Sequence, residues 1–474
     1  MTILSLISEQ APIEGQKYVQ LETLFQQAIS EGTLEPGEKL PPLRIAAWNA
    51  KCSLGTMSRV YTSLERKGLV VAEVGRGTFV QEKSKIGADI ILPSPRTIEA
   101  TSKSNDVGYI DLGMNAIAND WGENLIRWAL KRAAEKASSL TLMTYRDGFG
   151  DPSQKLAMRQ FLPASLQDIS NERIVITHGA QNGIFTALSR LTSPGDNVCI
   201  EPLSYPGISA ALSQAGLSSI TVKTDDQGIC PKSFEKLCIE GRIRILVTTA
   251  TGHNPTCITT PLSRRNEIGI LAERHNVLII EDDIYGYLYP EAPAPYASLF
   301  PNNAIYLTGL AKRITPSLRI GVAVAPPHIT MLLAQGITAQ TWMVSPILVT
   351  AAVEIAGRRD DLTNMPQTVK AQADQRSELT KTMLRGKVKS LDICRSHAWI
   401  ELPETISAEN FVKRAEICGV HVMAGHRFAN NSHSGHQNIR LSIMAPKQTS
   451  TLETALHKLK AILSTPNEDV YEMF

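Results

Sequence analysis

From Tyr109 onward, short β-branched and apolar runs alternate with helical patterns, and few architectures accommodate that rhythm. Ile174–Thr177, Asn197–Ile200, Ile243–Thr248, Val277–Ile280, Ala304–Leu307 and Ile320–Ala325 read as strands, with helical spacing over Gln181–Leu191 and Pro261–Arg274. Strands joined through helices pair in parallel. The expectation is an α/β body on a mostly parallel sheet, with functional loops at the strand carboxyl ends.

Polar motifs fall on those ends. His178-Gly179-Ala180-Gln181-Asn182 follows a strand and opens a helix, which offers unpaired N–H groups and a positive dipole end to an anion. Gly252-His253-Asn254-Pro255-Thr256 and Glu281-Asp282-Asp283-Ile284-Tyr285 each follow a strand as well. Lys312 lies between two apolar runs, on a segment broken by Gly309 and Pro316 that reads as a loop. A lysine held in a dry pocket loses its proton and can attack an aldehyde to form a Schiff base. Taken singly, each motif is also a strand-end cap, a turn or a surface lysine. Their joint order is what asks for a cofactor.

The first eighty residues follow a different plan. Val19, Leu21, Leu24, Phe25, Ala28 and Ile29 fall mostly at helical spacing. A turn at Pro36-Gly37 leads to a short helix starting near Pro42, and a break at 51–53 precedes a helix with Met57, Val60, Tyr61 and Leu64 on one face. That second helix exposes Ser58, Arg59, Thr62 and Arg66, as a recognition helix for the major groove requires. Leu69–Val80 reads as a hairpin with Arg76 at its tip, where an arginine reaches a phosphate or the minor groove. The net charge of the whole chain is only +2, but Lys39–Arg76 holds seven basic residues against Glu65 and Glu73. The segment 82–107, with Pro93, Pro95 and the polar run Thr101–Asp106, reads as a linker. A chain of 474 residues exceeds what one core organises, so we expect a head at 1–81 and a body at 108–474, with a large lobe to about 325 and a small lobe from about 326.

Seven scattered cysteines without a Cys-x-x-Cys pair argue for reduced thiols and against a zinc site, so no metal is expected. The N-terminus has no basic n-region and no apolar run spans a membrane, which gives the expectation of a soluble cytoplasmic protein without a membrane partner.

Lys312-x-x-x-Pro316-x-Leu318-Arg319-x-Gly321, with the motifs above, resembles fold-type I pyridoxal-phosphate aminotransferases from about Asp111 to the C-terminus. The resemblance implies that Lys312 is the catalytic lysine that carries the cofactor and that Arg319 clamps its phosphate, helped by Ala180 and Gln181. It implies that Asp282 pairs with the pyridine nitrogen, that Tyr285 and Asn254 contact the ring oxygen, and that Tyr205 stacks on the ring. Arg440, in Asn438-Ile439-Arg440-Leu441-Ser442, would grip a substrate carboxylate. Pro36-Gly37, Leu40-Pro41-x-x-Arg44, Val60-Tyr61-x-x-Leu64, Gly68-Leu69-Val70 and Gly75–Val80 resemble the winged helix-turn-helix of the GntR family. That likeness implies DNA contacts from Arg44 and Arg59. A GntR-like head on an aminotransferase-like body is the arrangement of the MocR subgroup of regulators.

The resemblance implies a homodimer that binds a DNA operator through two heads and senses an amine or amino acid by external-aldimine formation at pyridoxal phosphate. An active aminotransferase with an autoregulatory head, and a sensor of pyridoxal phosphate itself, are the alternative readings. One departure lies in the head, where Leu54 replaces a usual arginine; the others concern the cofactor's surroundings, where Ala311 and Gly309 replace usual hydroxyl residues and Cys257 stands where Asn-Pro-Thr is usually followed by glycine. Each charge-assisted bond lost from a phosphate costs roughly 1.5–3 kcal/mol.

Overall fold

The computed structural model describes residues 17–30, 33–35, 37–66, 69–73, 77–80, 109–118, 120–138, 143–145, 149–430 and 434–464. The expected linker 82–107, Arg76 and the side chain of Arg66 lie outside the described residues. Backbone contacts divide the chain into two units, Met1–Asp89 and Ile90–Phe474. Among the described residues no helix is long and apolar enough to cross a membrane.

In the first unit, α1 (Lys17–Ser30) buries Leu21, Leu24, Phe25 and Ala28, spaced to lie on one face. The following helices are α2 (Leu43–Asn49), entered from Pro42, and α3 (Leu54–Arg66). α3 turns Met57, Val60, Tyr61 and Leu64 into the same core, where the rings of Phe25 and Tyr61 meet edge to face at 5.6 Å. The Tyr61 hydroxyl donates to the Pro41 carbonyl at 2.7 Å and so fixes the entry to α2. Strands β1 (Val70–Glu73) and β2 (Gly77–Val80) pair antiparallel, with Val70 opposite Val80 and Glu73 opposite Gly77. This is a helix-turn-helix with a two-stranded wing.

The second unit opens with β3 (Ile110–Asp111). Its main sheet is built from β4 (Ile174–Thr177), β5 (Asn197–Ile200), β6 (Ser218–Thr221), the strands β9 to β11 and β12; between β6 and β9 the small hairpin of β7 (Thr224–Asp225) and β8 (Gly228–Ile229) stands apart. β9 (Ile245–Thr248), β10 (Leu278–Asp282), β11 (Ala304–Gly309) and β12 (Gly321–Val324) complete the order β4-β12-β11-β10-β9-β5-β6. β4, β9, β11 and β12 are buried throughout, so their near-continuous apolar sequences match their surroundings. β6 carries Ser218, Ser219 and Thr221 at an edge and lacks that signal. β12 runs antiparallel to both β11 and β4. The connection from Leu310 to Ile320 is too short for a parallel crossover, so the chain must reverse. A second sheet, β13 (Ser390–Ile393), β14 (Ala398–Glu401), β17 (Asn438–Leu441) and β16 (Met423–Ala424), is antiparallel. β3 pairs with β15 (Val420–His421), and the Ser442 amide donates to the Leu112 carbonyl at 2.7 Å. The start of the body therefore runs beside its C-terminal strands.

Candidate cofactor and effector site

The tight connection between β11 and β12 sets Lys312. The sequence pattern reads as a loop there; the structure instead winds Leu310–Arg313 into one helical turn, hung from the Ile320 carbonyl through the Leu310 amide at 2.9 Å. A short turn capped by Thr315 follows, and Arg319 takes a left-handed backbone with φ +50°. That conformation is uncommon for a residue with a Cβ and marks a locally imposed geometry. Its guanidinium packs against Gly179, where an added Cβ would stand 3.3 Å from Nη2. Gly179 caps the helix Ala180–Leu191 with φ +82°, so Arg319 and the first N–H groups of that helix converge.

Lys312 Nζ donates to the Asn115 carbonyl, and the Lys312 carbonyl accepts from the Tyr287 hydroxyl at 2.6 Å. Burial, then the charges of Arg440 and Arg319, hold its ammonium down to about 8, against an opposing pull from Asp282. Asp282 ends β10, is 4% exposed, and its Oδ1 has no hydrogen-bond partner. Burial and the neighbouring Asp283 push its carboxyl up to about 7. Its neighbour Asp283 accepts from the Tyr306 hydroxyl at 2.9 Å. Glu281, on the opposite face of the strand, meets the fully buried Arg265 at 3.4 Å and accepts from the Tyr296 amide at 2.7 Å. Asp282 thus has no hydrogen-bond partner, whereas each neighbouring acid has one, although Asp283 Oδ1 is likewise unpartnered.

Tyr285 is buried, and its hydroxyl accepts from Asn115 Nδ2 at 2.7 Å. Arg440, on β17, donates from Nη1 to Asn254 Oδ1 at 3.0 Å and from Nη2 to the Gly113 carbonyl, while its guanidinium lies 4.9 Å from the Phe428 ring centre. Nε is buried without a partner, and the guanidinium feels the charge of Asp111, although among the described residues no carboxylate is in ion-pair contact with it. Tyr205 stands at the start of the helix Pro206–Gln214, close enough for the charges of Asp282, Arg319 and Arg440 to act on its hydroxyl. Gln181 donates from Nε2 to the Gly207 carbonyl at 2.7 Å, which leaves its backbone and that of Ala180 as the helix-end donors. Asn115 is the residue that sequence reasoning missed. It touches Lys312 and Tyr285, receives the Ser442 hydroxyl at 3.0 Å, and lies 3.3 Å from His397 Nδ1.

A model of the gntR family of bacterial regulatory proteins matches residues 17–80. A model of the class I and II aminotransferases matches residues 107–459. The chain belongs to the class I and II aminotransferase family, behind a gntR-type head. This fusion is the MocR arrangement. YdeF of Bacillus subtilis, an HTH-type transcriptional regulator, is 26% identical over 449 residues, which are 94% of either chain. TauR of Rhodobacter capsulatus, another HTH-type transcriptional regulator, is 26% identical over 66% of this chain and 68% of its own. The body shares its fold with an archaeal alanine:glyoxylate aminotransferase, at a TM-score of 0.70 and 22% identity over 81% of this chain and 96% of that one.

The class I and II family depends on pyridoxal phosphate, and the unpartnered residues fit that group. Asp282 Oδ1 lacks a donor, which a protonated ring nitrogen is; Arg319 converges with the helix end that begins at Ala180, and together they offer donors that suit a phosphate. The departures at this end are steric as well as chemical. A Cβ on Gly309 would stand 3.3 Å from the Ala180 amide nitrogen, and the Thr308 hydroxyl is committed to the Asp283 carbonyl at 3.0 Å. Thr308 therefore does not replace the missing hydroxyl. In the MocR head, Arg44, Ser58 and Arg59 are exposed, the last two on α3.

Proposed function

We propose that this protein is a cytoplasmic transcriptional regulator that binds an operator as a homodimer and senses an amino acid at the Lys312 site. The observation that carries the ligand class is Arg440: a buried guanidinium in the charge field of Lys312, with an unpartnered Nε and, among the described residues, no carboxylate in ion-pair contact, although the charge of Asp111 reaches it. Arginine presents a planar fork that matches a carboxylate, which an ammonium does not. Pyridoxal phosphate, when bound, supplies an aldehyde carbon at which one amine exchanges for another, and a ring that withdraws electrons. Lys312, with its proton loosely held, serves as the resident amine and takes up or releases that proton as ligands come and go. Asp282 would hold the proton of the ring nitrogen, Tyr285 and Asn254 would bind the ring oxygen, Tyr205 would pack against the ring, and Arg319 with the Ala180–Gln181 helix end would anchor the phosphate. A ligand alters DNA binding only through a difference in its affinity for two states of the protein, so an amino acid acts here if its carboxylate contact with Arg440 differs between them.

The test measures operator affinity while amino acids and their decarboxylated amines are titrated into wild type, Arg440→Lys and Arg440→Ala. Amino acids should shift affinity in wild type, and both substitutions should raise the required concentration by at least ~10-fold, the loss of one charge-assisted contact. Equal potency of the amines, or an intact response in Arg440→Lys, would count against the carboxylate role. Lys312 and Asp282 together also support a second reading, an aminotransferase with an autoregulatory head. Enzyme-like exchange between an amino acid and a keto acid, with operator affinity unchanged throughout, would establish that reading instead.

A further inference from the structure

Beside the cofactor site, two thiols and an imidazole that the site does not use come together. Cys257 Sγ, Cys394 Sγ and a ring nitrogen of His397 all lie within 4.8 Å of one another. Cys394 and His397 are buried, and Cys257 is half-buried. They come from two separate parts of the body: Cys257 from the loop that holds Asn254, and Cys394 and His397 from the turn between β13 and β14. Counting cysteine spacing along the chain cannot reveal such a cluster.

Two further observations point to a ligand. Cys257 has φ +67°, a left-handed backbone that disfavours any residue with a Cβ and suits the glycine that the resembling family carries there. The thiol therefore sits on a backbone conformation that disfavours it. His397 Nε2 lies 3.0 Å from the Pro255 carbonyl, so it carries the proton and donates it, which leaves Nδ1 as an acceptor that faces the cluster and that Asn115 Nδ2 also approaches at 3.3 Å. An imidazole that donates one N–H to a carbonyl and presents its other nitrogen is the arrangement found around metal ligands. Nδ1 stands 3.3 Å from Cys394 Sγ and 2.8 Å from Ser396 Oγ. Ligands at ~2.3 Å for sulfur and ~2.0 Å for nitrogen around a tetrahedral ion stand roughly 3.5 Å apart; Cys394 Sγ and His397 Nδ1 already have that spacing, and Cys257 Sγ lies within 4.8 Å of both residues' ligand atoms.

We infer that Cys257 Sγ, Cys394 Sγ and His397 Nδ1 form a binding site for one zinc-class divalent ion, with a fourth position toward Ser396 Oγ. Binding forms two metal–sulfur bonds and one metal–nitrogen bond and releases two thiol protons to solvent. The two thiolates balance the ion's two charges, so the buried unit is neutral. The ion ties the Asn254 loop to the β13–β14 turn. An ion on Nδ1 takes the lone pair that Asn115 Nδ2 approaches at 3.3 Å, which leaves that amide to the Tyr285 hydroxyl.

The experiment uses the full chain loaded with pyridoxal phosphate, reduced and stripped of metal by chelation, and titrated with Co2+ and then Zn2+. Tetrahedral thiolate-bound cobalt has visible d–d bands at longer wavelength than the cofactor's absorption. The expected result is bands that saturate at about one ion per chain and vanish as zinc displaces cobalt. Cys257→Gly returns a residue suited to the left-handed backbone and so retains the fold, with cofactor absorbance as the control. It should abolish the bands, Cys394→Ser should do the same, and Cys52→Ser in the head should leave them unchanged. Absence of bands in wild type overturns the site, and so do bands undiminished in Cys257→Gly. A Cys257–Cys394 disulfide found by mass spectrometry, in protein that takes up no cobalt after reduction, overturns it in favour of a redox pair.

Discussion

At the scale of single residues, burial sets the chemistry. Lys312, held down to about 8, is half neutral near that pH, where a solvated lysine at ~10.4 has roughly a hundredth as much free amine. Reductive methylation of cofactor-free protein with formaldehyde, followed peptide by peptide, should give Lys312 a rate that rises with pH and levels above about 8, while surface lysines are still rising at pH 9. A Lys312 profile that tracks the surface lysines would remove the dry-pocket argument. Asp282 has the opposite sign of shift for the same reason. Its folded value of about 7 lies above an unfolded ~3.9, so the carboxyl weakens the cofactor-free fold increasingly from pH 4 to 7 and by a constant amount above. Asp282→Asn should therefore raise the melting temperature of the cofactor-free protein at pH 8, less at pH 5, and at pH 8 weaken cofactor retention; a uniform fall in stability would show that the carboxylate is structurally paired. Asp282 and Lys312 stood out in the sequence because each sits where an apolar run stops. Asn115 did not, since residues 112–118 carry no periodicity and its partners Tyr285, His397 and Ser442 are remote in the chain.

At the scale of elements, strand ends and helix ends set the geometry, and glycines allow the close approaches. Gly179 combines φ +82° with Arg319 Nη2 at 3.3 Å from the place of a Cβ. Gly179→Ala strains the backbone by roughly 1 kcal/mol and presses on the guanidinium, so pyridoxal phosphate should bind ~10-fold or more weakly while secondary structure stays intact. Equilibrium dialysis measures it, with inorganic phosphate as competitor; an unchanged affinity would mean that the helix end and Arg319 do not share the anion. Strands β4, β5, β9, β10 and β11 were legible because they are buried and apolar. β6 was not, because its edge position tolerates Ser218 and Ser219, and the second sheet was not, because β13 alternates exposed with half-buried residues. The reversal of β12 follows only once the shortness of the Leu310–Ile320 connection is weighed against what a crossover needs.

At the scale of the whole molecule, the head and body answer to different ligands, and a dimer would present two heads to one stretch of DNA. The exposed Arg44 and Arg59 sit on separate helices of the head, Arg59 on the helix read as entering the major groove and Arg44 on the one before it. Each phosphate contact releases counterions, so removing one should flatten the salt dependence of binding by about one unit in the logarithmic slope. Arg44→Ala should do this for all sequences alike. Arg59→Ala should in addition relax base preference if it reads an edge, which sets the two arginines apart in one series of operator variants. Two heads acting together convert the second contact into an intramolecular one, so deleting one half-site should cost roughly 10²–10⁴ in affinity, far more than any single arginine. Fluorescence anisotropy on full, half-site and mismatched operators at several salt concentrations measures all three effects. Affinity indifferent to the second half-site would mean that the heads bind one at a time, and a salt slope untouched by either substitution would place the DNA contact elsewhere on the chain.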